Sequence, residues 1–196
     1  MSNNIEKKKR WISTTSAQCM VLAAFVFLAV FVLGSEVDIP EDEARMLIGE
    51  FEGQFVGIQW YDIFVHNLTI ALGMFIPFGG FVWGSTSALM TGIAFAAYSI
   101  TSPEVINFSP LLLFITPFGM MELAAYSIAM GTSLQLSIRL VKRLRHQVVW
   151  RENGPKILAK TLLTRISIVV LLLVVGGFIE YEILENMVEI IGVLQG

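Results

Sequence analysis

The chain has 196 residues, 55% of them hydrophobic and 15% charged, with a net charge of −3 and a mean hydropathy of +0.71. A soluble domain of this size cannot hide that much apolar surface, so the composition points to an integral membrane protein. There is no basic stripe with interleaved aromatics, which argues against a nucleic-acid partner, and the single cysteine, Cys19, sits in an apolar run where it reads as a small buried hydrophobe.

Lys7, Lys8, Lys9 and Arg10 precede an uncharged run from Trp11 to Ser35. That run outlasts the roughly 7–15 apolar residues of a secretory signal, so residues 11–33 are expected to form a retained first transmembrane helix. Residues 36–52 are acidic. Pro40 followed by Glu41, Asp42 and Glu43 marks a helix start, with proline in the first turn and acids at the positive end of the dipole. Leu47, Phe51, Phe55 and Ile58 recur at helical spacing, which suggests an amphipathic helix on the membrane surface or capping the bundle.

No charge falls between Asp62 and Glu104. The span fits two helices, 62–76 and 81–100, broken at Pro77-Phe78-Gly79-Gly80. Ser109-Pro110 and Thr116-Pro117-Phe118-Gly119 divide the next apolar stretch into a short re-entrant or interfacial segment, 110–115, and a spanning helix, 117–138. A basic stretch, 139–160, reads as a cytoplasmic loop that attracts anionic lipid or an acidic partner. The last span covers 157–179. The tail, 180–196, carries Glu180, Glu182, Glu185 and Glu189 and reads as a second acidic amphipathic helix.

The expected fold is therefore all-α: one polytopic membrane bundle over residues 1–196, with about five transmembrane helices, a broken segment before the fourth, and acidic amphipathic outer segments. Basic residues favour the cytoplasmic side. With the N-terminus and residues 139–165 inside the cell membrane and the C-terminus outside, twelve of the thirteen Lys and Arg lie inside, leaving Arg45 outside.

The two breaks are written almost alike, FIPFGG at residues 75–80 and FITPFG at residues 114–119. Proline and glycine interrupt helices, and in lipid the freed backbone groups must find protein partners. Pro77, Gly79, Gly80, Pro117 and Gly119 thus mark helix ends inside the bundle. Nothing flanking the phrase repeats, so two separate turns are favoured over an inverted repeat of the transporter kind.

Gly84, Ala88, Gly92 and Ala96 form a small-residue stripe at i+4 spacing, and Ala125, Ala129 and Ser133 form a second. Such stripes let helix backbones approach closely. Glu122 lies three, seven and eleven residues before the second set, on the face turned to the bundle. An acid inside a membrane helix is a functional-site candidate by default. His66 and Asn67, about a turn into their helix from the outer side, and Glu180, at the outer end of the last span, are expected at the same depth. This cluster reads as a structural hydrogen-bond clamp, with a proton or ion relay or a partner-docking site as alternatives. There is no P-loop, no paired nucleophile and base, and no metal-ligand set. The two histidines, His66 and His146, fall on opposite sides. Neither a cofactor nor a metal is expected.

Asn67, Gly79, Gly80 and Gly92, then the box from Pro117 to Ala124 around Glu122, then Gly131 and Ile179-Glu180, resemble the pattern of the stage II sporulation protein M family (DUF95) over residues 62–181. The resemblance implies an integral membrane protein of scaffold character, since the family's best-known member works in a complex that remodels peptidoglycan while its partners hydrolyse. Two positions depart from the family pattern, which has histidine where Phe118 stands and asparagine where Thr91 stands. The first departure favours a structural use of the box. The expected function is a non-enzymatic membrane scaffold or accessory subunit of a larger complex. Its partners would be lipids and other membrane proteins or further copies of the chain. The alternative is a small transporter or channel using Glu122 with His66 and Asn67.

Overall fold

The computed structural model describes residues 2–55, 59–102, 108–146 and 154–195, with side chains over 16–49, 59–102, 108–142, 144–145 and 156–186. Every regular element among them is helical: α1 (Ser2–Ser35), α2 (Glu41–Phe55), α3 (Trp60–Gly73), α4 (Gly79–Thr101), a 3₁₀ turn (Pro110–Ile115), α5 (Pro117–His146) and α6 (Gly154–Gln195).

Three segments are long and apolar enough to cross a membrane: Ser16–Ser35 of α1, Gly79–Thr101 of α4 and Lys156–Asn186 of α6. The other two expected spans fail that test for different reasons. α3 has 14 residues, about 21 Å of helix, against a hydrocarbon core of about 30 Å. α5 has 30 residues but is too polar, because Glu122, Thr132, Ser133, Gln135 and Ser137 interrupt it. It is the central helix, packed against α1, α3, α4 and α6. Its surface meets protein, so it has no need to be as apolar as a lipid-facing helix.

Two boundaries differ from the sequence reading. α6 runs unbroken through residue 180, so the last span and the acidic tail are one helix of 42 residues. Glu, Leu and Ile all favour helix, and nothing there stops it. The basic stretch 139–160 is likewise mostly helical, shared between the ends of α5 and α6. Ile58, the side chains of Phe51 and Phe55, and those of His146 and Glu189 lie outside the described residues.

The core is aromatic and small-residue in character. Phe27 and Phe31 of α1 are 2% and 0% exposed. Phe27 stacks on Tyr126 of α5 at 5.4 Å. Phe114, from the 3₁₀ turn, meets Phe31 edge-on at 4.8 Å and Phe27 at 6.1 Å. Such pairs contribute roughly 0.5–1.5 kcal/mol beyond their burial. The turn therefore dips an aromatic anchor into the bundle.

The stripe on α4 is buried at Gly84, Ala88, Gly92 and Ala96, but it serves two neighbours. Near its start, a Cβ at Gly84 would sit 2.5 Å from Met130 Sδ of α5. Farther along, Gly92 crosses Gly34 of α1, and a Cβ on Gly92 would lie 2.9 Å from Gly34 Cα. Two glycines face to face bring these backbones together more closely than any side chain would allow. On α5, Ala125, Ala129 and Ser133 are all fully buried, and so is Cys19, at 5% exposure, on α1.

α2 docks on the far end of α4. Ala44 and Ile48 pack against Ala97, flanked by Leu47 and Tyr98, while Glu41, Asp42 and Glu43 stay exposed. Arg45, the one basic residue expected outside, is held by Glu41 one turn back at 2.7 Å.

Candidate functional site

Two polar layers cross the bundle, and α5 contributes to both. In the first layer Glu122, in the second turn of α5, accepts a hydrogen bond on Oε1 from the Asn67 side-chain amide of α3. The structure brings these two residues together. Glu180 of α6 lies close enough to Glu122 for the two carboxyl groups to interact electrostatically, with Tyr126 one turn deeper beside them. Glu180 arrives there because the inward face of α6 runs Val169, Leu173, Gly176, Gly177, all buried, and then Glu180. Gly177 lets α6 close on α3, since a Cβ there would lie 3.3 Å from the Phe64 backbone, while Gly176 faces α5, where a Cβ would meet Met121 at an ordinary 3.5 Å. Glu180 Oε2 is buried without a hydrogen-bond partner among the described residues.

His66 does not join this cluster. It is exposed, because its neighbour Asn67 takes the inward position and successive residues on a helix point about 100° apart. No three His, Cys, Asp or Glu gather at the acid pair or elsewhere among the described residues.

The second layer was not legible as a site. Arg165 of α6, counted in the sequence with the basic loop, turns inward. Its Nη1 donates to Thr132 Oγ1 at 3.0 Å and Gln135 Oε1 at 2.8 Å, both on α5, and its Nη2 donates to Ser16 Oγ of α1. One guanidinium thus ties three helices. A groove of about 520 Å³ opens beside it, lined by Ser16, Lys160, Thr161, Thr164 and Arg165 together with Met20, Ile128 and Ile168. None of Asn67, Glu122 and Glu180 lines it.

At the same level lies the break between α3 and α4. Ser133 Oγ donates to the Ile76 carbonyl at 2.6 Å. Ser137 Oγ accepts from the Phe78 N–H at 2.7 Å and donates to the Ser133 carbonyl at 2.8 Å. The turn is tight: Gly79 N–H bonds the Pro77 carbonyl at 2.7 Å, and Phe78 between them has φ 62°, a strained γ-turn geometry for a residue with a side chain.

The sequence model of the stage II sporulation protein M family matches residues 17–181, which hold Asn67, Glu122, Arg165 and Glu180. The chain belongs to the stage II sporulation protein M family. No curated protein and no solved structure matches it individually. Thr91 and Phe118, the two positions singled out in the sequence, lie on α4 and α5. Thr91 is exposed on α4 and bonds its own helix at the Ser87 carbonyl, at 2.9 Å. Phe118 lies half-buried in the first turn of α5 and turns its carbonyl toward Gly176.

The polar groups therefore connect helices more than they enclose a space. The bundle has a basic end and an acidic end. Arg139, Lys142, Arg145, Lys156 and Lys160 stand at the end of α1 that carries Ser16, and Glu36, Asp38, Glu180 and Glu182 stand at the other.

Proposed function

We propose that the chain is a non-enzymatic scaffold or accessory subunit of a larger membrane complex, seated in the cell membrane with its N-terminus in the cytoplasm and its C-terminus outside. The observation that carries this reading is the Asn67–Glu122 hydrogen bond: the acid inside the bundle joins α3 to α5. Arg165 joins α6 to α1 and α5 in the same way. Groups used like this set how helices are arranged and leave the outer surfaces for partners. The exposed acids of α2, fixed by the docking of that helix on α4, offer one such surface to another membrane protein or a further copy of the chain.

The Glu122 variants test it. Glu122→Gln keeps a hydrogen-bonding group and is expected to behave nearly as wild type. Glu122→Leu strands Asn67 and should lose roughly 1–3 kcal/mol of stability, together with partner subunits recovered in a mild detergent. Equal damage from both changes would sink the clamp. A second reading, a small transporter or channel, is favoured by the buried, unpartnered Glu180 Oε2 beside Glu122. It expects Glu122→Gln to fold and assemble normally yet abolish an ion flux measured in proteoliposomes.

A further inference from the structure

Arg165 is bonded only to neutral acceptors: two hydroxyls and an amide oxygen. A guanidinium has five N–H donors, and three bonds leave two of them over. No carboxylate pairs with Arg165 among the described residues. The charged groups around it carry the same sign: Arg139 of α5 is near enough to repel it, and Lys160 shares its groove. A half-buried cation at a membrane boundary with like charges around it calls for an anion.

The groove says which kind of anion. Its wall combines the cations Lys160 and Arg165 and the hydroxyls of Ser16, Thr161 and Thr164 with the apolar side chains of Met20, Ile128 and Ile168. It lies at the level of Ser16, about a turn and a half inside the uncharged run of α1 that begins at Trp11 and beside the basic end of the bundle, which is close to headgroup depth. The neighbouring outward residues Val21 and Leu22 of α1 and Leu171 of α6 are exposed apolar side chains, so the groove opens toward acyl chains. A free anion would meet the cations and leave the apolar side chains uncovered.

We propose that this groove between α1, α5 and α6 seats an anionic phospholipid, its phosphate held by Arg165 and Lys160 and an acyl chain laid over Met20, Ile128 and Ile168. The inference rests on the chain's placement in a membrane and is independent of whether it acts as a scaffold. It differs from the diffuse attraction of a basic loop for a charged surface, because here a cavity and a fixed guanidinium select one molecule. The lipid would complete the contact of α1 with α6 at the end where Arg165 already bridges them.

The test is thermal unfolding of the purified full chain in a non-ionic maltoside detergent. It is titrated separately with palmitoyl-oleoyl phosphatidylglycerol, the matching phosphatidylcholine, and inorganic phosphate. Wild type should be stabilised by phosphatidylglycerol at concentrations at least about fivefold lower than phosphatidylcholine requires, the factor set by one basic residue near the headgroup. Lys160→Gln should lose about that factor. Ile168→Trp, at an exposed position that tolerates bulk, should fill the groove and remove the lipid's effect while the lipid-free midpoint stays put. Arg165 itself is left intact because its loss would loosen three helices. Equal action of the two lipids would overturn the proposal. So would an undiminished phosphatidylglycerol effect in both variants, or inorganic phosphate reproducing the full shift.

Discussion

The phrases Phe75-Ile-Pro-Phe-Gly-Gly and Phe114-Ile-Thr-Pro-Phe-Gly share Pro-Phe-Gly, yet the two breaks fold differently. At the second, Pro117 is the first residue of α5, where its missing N–H costs nothing. Thr116 precedes it and caps the helix: its Oγ1 accepts from the Gly119 N–H at 3.1 Å and donates to the Leu113 carbonyl at 2.6 Å. At the first, Pro77 stays outside the helix, Phe78 precedes α4 with a positive φ, and Ile76 stands near the position where Thr116 supplies its hydroxyl. Lacking a local hydroxyl, this break takes two from Ser133 and Ser137, 57 and 59 residues away. One threonine makes a turn self-sufficient, and its absence makes the turn depend on another helix. The likeness of the phrases is thus not a structural repeat.

Removing the borrowed hydroxyls should have the largest effect. Ser133→Ala with Ser137→Ala leaves the Phe78 N–H unpaired and the Ile76 carbonyl with only its bond from the Gly80 N–H, and is expected to cost about 2–4 kcal/mol, read from the midpoint of unfolding in mixed detergent micelles. A loss no greater than that of an exposed serine, such as Ser87→Ala, would show that the two breaks do not differ in this way.

The local cap is worth less. Thr116→Ala should cost about 1 kcal/mol, and Thr116→Ser should recover most of it. Failure of serine to rescue would mean that the methyl group matters and the cap does not.

The smallest change has the opposite sign. Phe78 is 55% exposed, so Phe78→Gly gives up little burial. It relieves a strain of about 1–3 kcal/mol at a chain-entropy cost of about 0.5–1 kcal/mol. A gain of about 1 kcal/mol is expected. Destabilisation would show that the ring, and not the backbone, is needed there.

These contrasts mark what the sequence could reveal. The start of α2 at Glu41, the 3₁₀ turn at Pro110–Ile115 and the α4 stripe were legible because each depends on local chemistry or on helical spacing. The pairing of Asn67 with Glu122 was legible because both occupy inward positions at one depth. Arg165 was not, because a basic residue beside a span is first a topology signal, and only packing decides whether it turns inward. Ser133 and Ser137 were hidden for a similar reason. A serine hydroxyl suits a helix interior or a distant turn equally, and the partners here are a backbone carbonyl and a backbone N–H, which have no signature in the side-chain sequence. His66 shows the converse: adjacent polar residues suggested one cluster, but adjacent helix positions face different ways.

The unbroken course of α6 carries one mechanical consequence. From Glu180 to its end at Gln195 the helix extends about 24 Å past the acid pair, at 1.5 Å per residue. Gly176 and Gly177, seated against α5 and α3, lie just before that extension. A stiff rod gripped there works as a lever: a tilt of about 10° at the glycines, about 28 Å from the far end, moves that end by roughly 5 Å. Because no joint interrupts α6, the angle at which it crosses α3 and α5 sets where the far end stands relative to the membrane.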